Sequence, residues 1–68
     1  MKEFETFLAK AIDQKNDFGS VNFLPISYND RAIIDKLKKG GLIDNVRYIG
    51  MQAIGFDLTY DGLHYFDE

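Results

Sequence analysis

The stretch Ser27–Ile43, SYNDRAIIDKLKKGGLI, restricts the possible folds of this chain more than any other. It holds one amphipathic helix, a glycine stop and an apolar re-entry. Ile33, Ile34 and Leu37 recur at a spacing that places them on one helical stripe, while Arg31, Asp35, Lys38 and Lys39 fall off it. Ser27 or Asn29 can cap the helix, because a side-chain oxygen of either can accept from a first-turn N–H that has no partner inside the helix. Asp30, three residues on, completes a capping-box pattern and sets negative charge at the positive end of the helix dipole. Lys36, Lys38 and Lys39 crowd the last turn, where unpaired carbonyls favour cations. Gly40-Gly41 predicts the stop, since glycine takes the left-handed conformation without a Cβ clash. Leu42-Ile43 then returns the chain to the core. A helix over 29–40 follows, and the rest of the chain must supply what it packs against.

That remainder is small. The 68 residues form a single domain, 1–68, near the lower limit of what folds alone. There is no cysteine, so neither a disulfide framework nor a cysteine zinc site can stabilise it. The apolar core must do so, and an apolar content of 46%, with ten aromatic residues, is enough to attempt it. No run approaches the length of a membrane span, and Glu3 and Glu5 interrupt any signal-peptide pattern. A cytoplasmic setting with no membrane partner is expected.

Lys2–Lys15 reads as a first helix, with Phe4, Leu8, Ala11 and Ile12 on one face and Phe7 beside them. Asn16–Ile26 is ambiguous. Asn16, Asp17 and Gly19 break the helix, and Pro25 forbids an ordinary helix interior or central strand. A short extended piece or a single turn, plugging the core with Phe23 or Leu24, is expected there. Ile43–Leu58 reads as a β-hairpin over 43–49 and 53–58, with Val46 and Tyr48 alternating against Arg47 and Ile49. Gly50-Met51-Gln52 forms its tip, and Gly55 inside a strand predicts a bulge or a close backbone approach. A short helix over 60–66 closes the chain, capped by Thr59, with Leu63 and Phe66 facing inward. Gly62 within it predicts close packing of helix against strand. The expected core is Leu8, Ile12, Ile33, Ile34, Leu37, Phe56, Leu58 and Phe66.

The order helix, short segment, helix, hairpin resembles the winged-helix domain. Two local patterns carry the resemblance. One is Leu37-Lys38-Lys39-Gly40-Gly41-Leu42-Ile43, a helix end, glycine and apolar pair leading into a wing. The other is Leu58-Thr59-Tyr60-Asp61-Gly62-Leu63-His64-Tyr65-Phe66, which is similar to the Leu-Thr-x-x-Gly-x-x-Tyr-Leu/Phe ending of small bacterial and phage proteins of the YjcQ-like family. The resemblance spans about residues 28–66. It implies an α+β, winged-helix-like fold, a helix-turn-helix presentation of the second main helix, and a DNA-binding regulator associated with phage or mobile elements. The chain departs from the pattern at one point. A full winged helix has another helix before the recognition helix, and here only Asn16–Ile26 is available for it.

For catalysis the sequence offers little. It contains no serine-nucleophile motif, no phosphate-binding glycine loop and no metal-spaced His/Cys set, so neither an enzyme nor a cofactor is expected. His64 is the single histidine and has no evident partner. Asp57 and Asp61 read as a solvated strand edge and a helix-start charge, and Asp67-Glu68 as a solvated tail.

Net charge is −3, yet the charge is segregated. Residues 31–47 carry five basic residues against two acids; the rest of the chain has three lysines against nine acids. In a winged-helix frame the second main helix enters the major groove and the wing touches backbone. Asn29 and Arg31 would then reach base edges, with Lys36, Lys38, Lys39 and Arg47 on phosphates. Against this stands the reading of lysines at a helix end as ordinary dipole-matched surface. The tyrosines Tyr28, Tyr48, Tyr60 and Tyr65 open a different possibility. If several lie exposed beside Ile49 and Met51, then Tyr48, Ile49 and Met51 mark a protein or homodimer interface. Two functions remain open: duplex-DNA binding, and protein interaction or dimerisation without nucleic acid.

Overall fold

A computed structural model of the chain describes residues 3–67. Among them the elements run α1 (Glu3–Gln14), β1 (Ser20–Pro25), α2 (Asp30–Lys39), β2 (Ile43–Ile49), β3 (Ala53–Leu58) and α3 (Tyr60–Leu63). The fold is α+β. Lys2, expected in the first helix, and Glu68, expected in an acidic tail, lie outside the described residues.

The ambiguous segment is a strand. β1 pairs antiparallel with β3, and β2 pairs with the other edge of β3, giving the order β1-β3-β2. Asn16 starts it by folding back: its side-chain oxygen accepts from the N–H groups of Phe18 and Ser20. Gly19 completes the turn at φ 79°. The register then slips between Val21 and Leu24. Both of these point inward and are fully buried, while Asn22 and Phe23 are left outside. Leu24 is therefore the plug, and Phe23 is not.

A second slip, between Asp44 and Arg47, occurs where Asn45 takes φ 51°. Gly55 lies between the two bulged edges. A Cβ there would come within 3.0 Å of the Asn22 carbonyl and of the Arg47 guanidinium, so the expected close approach is present. Register separates the two faces of the sheet. Leu24, Ile54 and Tyr48 align on the helix side; Arg47 and Gly55 align on the outer side with Asp57 and Ser20.

The core joins Phe7, Leu8 and Ala11 of α1, Ile34 and Leu37 of α2, and Ile54, Phe56 and Leu58 of β3, with Val21, Leu24, Ile26 and Ile43. Ile12 and Ile33 pack against it half-buried. Phe66 does not join it and is exposed. α3 ends at Leu63, so Leu63 and Phe66 no longer share a helical stripe, and the Phe66 ring lies edge-on to Tyr65 instead.

The end of α2 forms a Schellman motif. The Gly41 N–H bonds the Lys38 carbonyl, the Leu42 N–H bonds the Leu37 carbonyl, and Gly41 takes φ 74°. Here the two patterns singled out in the sequence meet. The Thr59 N–H donates to the Leu42 carbonyl, and the Thr59 hydroxyl donates to the Gly41 carbonyl at 2.6 Å while accepting from the Gly62 N–H at 3.0 Å. A Cβ on Gly62 would collide with the Leu42 carbonyl oxygen. The glycine is needed for packing, as expected, but against the α2–β2 connection rather than a strand.

The start of α2 differs from its expected cap. Neither Ser27 nor Asn29 accepts from the helix through its side chain. Instead the Asp30 carboxylate reaches back to the Ser27 N–H at 2.8 Å, and the Ser27 hydroxyl donates to the same oxygen. Only the carboxylate half of the capping box is formed.

Candidate interaction surface

Helical spacing keeps the charges of α2 off the core but does not say which neighbour each one meets. In the structure they diverge. Arg31 leans toward the hairpin and lies over the Tyr48 ring, 4.7 Å from its centroid. Lys36 leans the opposite way, over the Phe4 ring of α1 at the same distance. Lys39 pairs with Asp35 at 3.1 Å, one turn back on the same helix. Lys38 is exposed.

Arg47 is separated from all of these by the sheet. On the outer face it donates to the Asn45 carbonyl at 2.8 Å and stands 3.9 Å from the Asp57 carboxylate. Asp57 also accepts from the Ser20 hydroxyl at 2.6 Å and from the Asn45 side-chain amide at 2.8 Å. These bonds, from Asn45 first and then Ser20, with the Arg47 charge adding, hold its carboxyl below the usual carboxylate range. Asp57 is thus a clasp joining all three strands across both bulges, rather than a solvated edge. Arg47 belongs to that clasp.

Asn29 faces yet another direction. It lines a cleft of ≈ 410 Å³ between α1 and the start of α2, with Phe7, Lys10 and Pro25. The two candidate base-reading residues, Asn29 and Arg31, therefore open onto different surfaces.

The tyrosine set behaves otherwise. Tyr28 and Met51 are 83% and 80% exposed. Together with Ile26, Arg31 and Gln52 they line a cleft of ≈ 400 Å³ between the start of α2 and the hairpin tip. Tyr48 and Ile49, both exposed, belong to the adjoining strand. The Ile26 N–H bonds the Gln52 carbonyl at 2.8 Å, which seats the end of β1 against the tip and closes the base of the cleft. Carbon atoms of Ile26, Tyr28 and Met51 form its walls, and the Arg31 guanidinium is its one charge. That guanidinium lies over Tyr48, and no hydrogen bond from its N–H groups is present among the described residues. Tyr48, Ile49 and Met51 were legible as a set in the sequence. Ile26 and Gln52 were not, since only the β1–β3 pairing brings them together.

His64 does have partners: Asp67 on its Nδ1 and the Tyr60 ring at 4.4 Å. The pair is exposed. Among the described residues no group of three or more His, Asp or Glu side chains is placed to hold a metal ion, and no helix is long and apolar enough to cross a membrane. No protein-family model matches the chain, and no curated protein or solved structure shows significant similarity to it.

Proposed function

We propose that this chain is a small winged-helix-like protein-interaction module, and that it docks its partner at the corner between the start of α2 and the hairpin tip. One observation carries the reading: Tyr28 and Met51, large and almost fully exposed, flank a single cleft with the Arg31–Tyr48 pair beside it. A small chain gains nothing in stability from leaving such side chains in water, whereas aromatic, methionine and arginine side chains are the ones that carry binding energy at interfaces. The winged-helix-like part of the reading is supported by the order α–β–α–β–β–α with β3 between β1 and β2. Residues 15–29 hold a strand and turns, so α1 and α2 do not form a helix-turn-helix pair.

A photo-reactive amino acid placed at Met51, with one at exposed Asp17 for comparison, tests the reading in the cells of origin. A discrete protein adduct from Met51, lost when Tyr28 is changed to Glu and not seen from Asp17, is the expected result. Equal adducts from both positions would contradict it.

A second reading, duplex-DNA binding, is favoured by the solvent side of α2, where Arg31, Lys36, Lys38 and Lys39 outnumber Asp35. Lys36 over Phe4, Lys39 on Asp35 and Arg47 on the far face of the sheet weigh against it, while exposed Lys38 stays open to solvent. Titration of duplex DNA at low ionic strength decides it. Binding that falls steeply with salt and disappears when Lys36, Lys38 and Lys39 become Ala would replace the first reading.

A further inference from the structure

We infer that the corner cleft, if it is the docking surface proposed above, takes a peptide presenting a bulky apolar side chain next to a carboxylate. The walls define the first half of that ligand. Ile26, Tyr28 and Met51 offer hydrocarbon, and ≈ 400 Å³ is room for one large side chain with its backbone. Methionine and tyrosine at the rim adapt to different apolar shapes without a change of backbone.

The second half comes from Arg31. The planar Arg31 guanidinium lies over the Tyr48 ring, its carbon 4.7 Å from the ring centroid, a cation–π contact that restrains where the group sits. The edge of that plane carries the N–H donors, and none of them meets an acceptor among the described residues. A guanidinium held in this way is prepared for a planar, two-oxygen acceptor. No carboxylate lines the cleft, so the chain itself leaves that position open. The two nearest acids of α2 are already engaged: Asp30 with Ser27, and Asp35 with Lys39.

A phosphate backbone would also satisfy Arg31, but it needs a row of cations. Lys36 is turned toward Phe4, Lys39 is tied to Asp35 and Lys38 does not line the cleft, so Arg31 is the one cation on its wall. A single carboxylate beside a single apolar side chain matches that arrangement; a polyanion does not. The net charge of −3 further disfavours a polyanion at distances beyond the cleft.

Selection of random short peptides displayed on phage, against the intact chain, tests the inference. The enriched sequences are expected to share Asp, Glu or a C-terminal carboxylate beside Leu, Ile, Phe or Trp. Labelled synthetic copies should lose about tenfold or more in affinity with Arg31→Gln and again with Met51→Ser, each variant first shown to be folded by circular dichroism. Arg31→Lys should recover little, since it keeps the charge but not the two-pronged fork. Enriched peptides that need Met51 but carry no carboxylate, and ignore Arg31→Gln, would overturn the inference and leave the docking surface standing. A dimer in light scattering that Met51→Ser dissociates would do the same, with a second copy as the occupant. Peptides indifferent to every corner residue, or a preference for single-stranded oligonucleotide over any peptide, would overturn both.

Discussion

The two ends of α2 are built on opposite terms. At its C-terminal end Gly41, Leu42, Thr59 and Gly62 close on one another, and the Thr59 hydroxyl alone serves two backbone groups. At its N-terminal end Tyr28 and Met51 stand in water, and the Arg31 guanidinium donors meet no acceptor among the described residues. The first end holds α2, the hairpin and α3 in one arrangement and has little left to offer a partner. The second end is seated by the Ile26–Gln52 and Ser27–Asp30 bonds, while Tyr28 and Met51 take little part in the packing. In so small a chain the same helix can do both only because its length separates the two tasks.

The largest effect should come from the closed end. Gly62→Val should leave little folded protein at room temperature by circular dichroism, because the added carbons meet the Leu42 backbone, which is held by its bond to Thr59. Substantial folded signal would show that the junction yields, and the contrast between the ends would weaken. Leu37→Ala should follow at about 2–5 kcal/mol in denaturant unfolding, from lost burial plus the cavity left behind. Gly41 separates space from backbone conformation. Nothing lies within 4 Å of an added Cβ there, but φ is 74°, so Gly41→Ala should cost only about 1 kcal/mol.

Smaller still is the effect of the outer-face clasp. The Asp57 carboxyl is held below its ordinary value, so its contribution is present above the unfolded-state value and lost as pH falls through the folded one. Wild type should therefore exceed Asp57→Asn in stability at neutral pH, with the gap narrowing in acid below about pH 4. A gap independent of pH would mean that shape rather than charge holds the bulges.

Much of the closed end was legible in the sequence, since its signals are local. The Lys-rich last turn, Gly40-Gly41 and the Thr59 cap each act within a few residues. That the two glycine patterns bind each other was not, because they lie in separate parts of the chain and join only through Thr59. β1 was obscured in the same way. Its partner is β3, far along the chain, and the slip between Val21 and Leu24 erases the alternation that would have marked a strand. At the open end, Tyr48, Ile49 and Met51 could be named as a set, but not the cleft that Ile26 and Gln52 complete. The basic residues show what periodicity omits. It places Arg31, Lys36 and Lys39 off the core, but only the neighbours Tyr48, Phe4 and Asp35 decide that they point apart. A single slip at Asn45 fixes the face on which Arg47 emerges.

If the open end is held in reserve, Tyr28 and Met51 take no part in folding the chain. Denaturant unfolding of the double variant Tyr28→Ser, Met51→Ser tests it most directly. Both side chains are at least 80% exposed, so stability should stay within about 0.5 kcal/mol of wild type. A loss comparable to that of Leu37→Ala would show that these residues belong to the core and would contradict the claim.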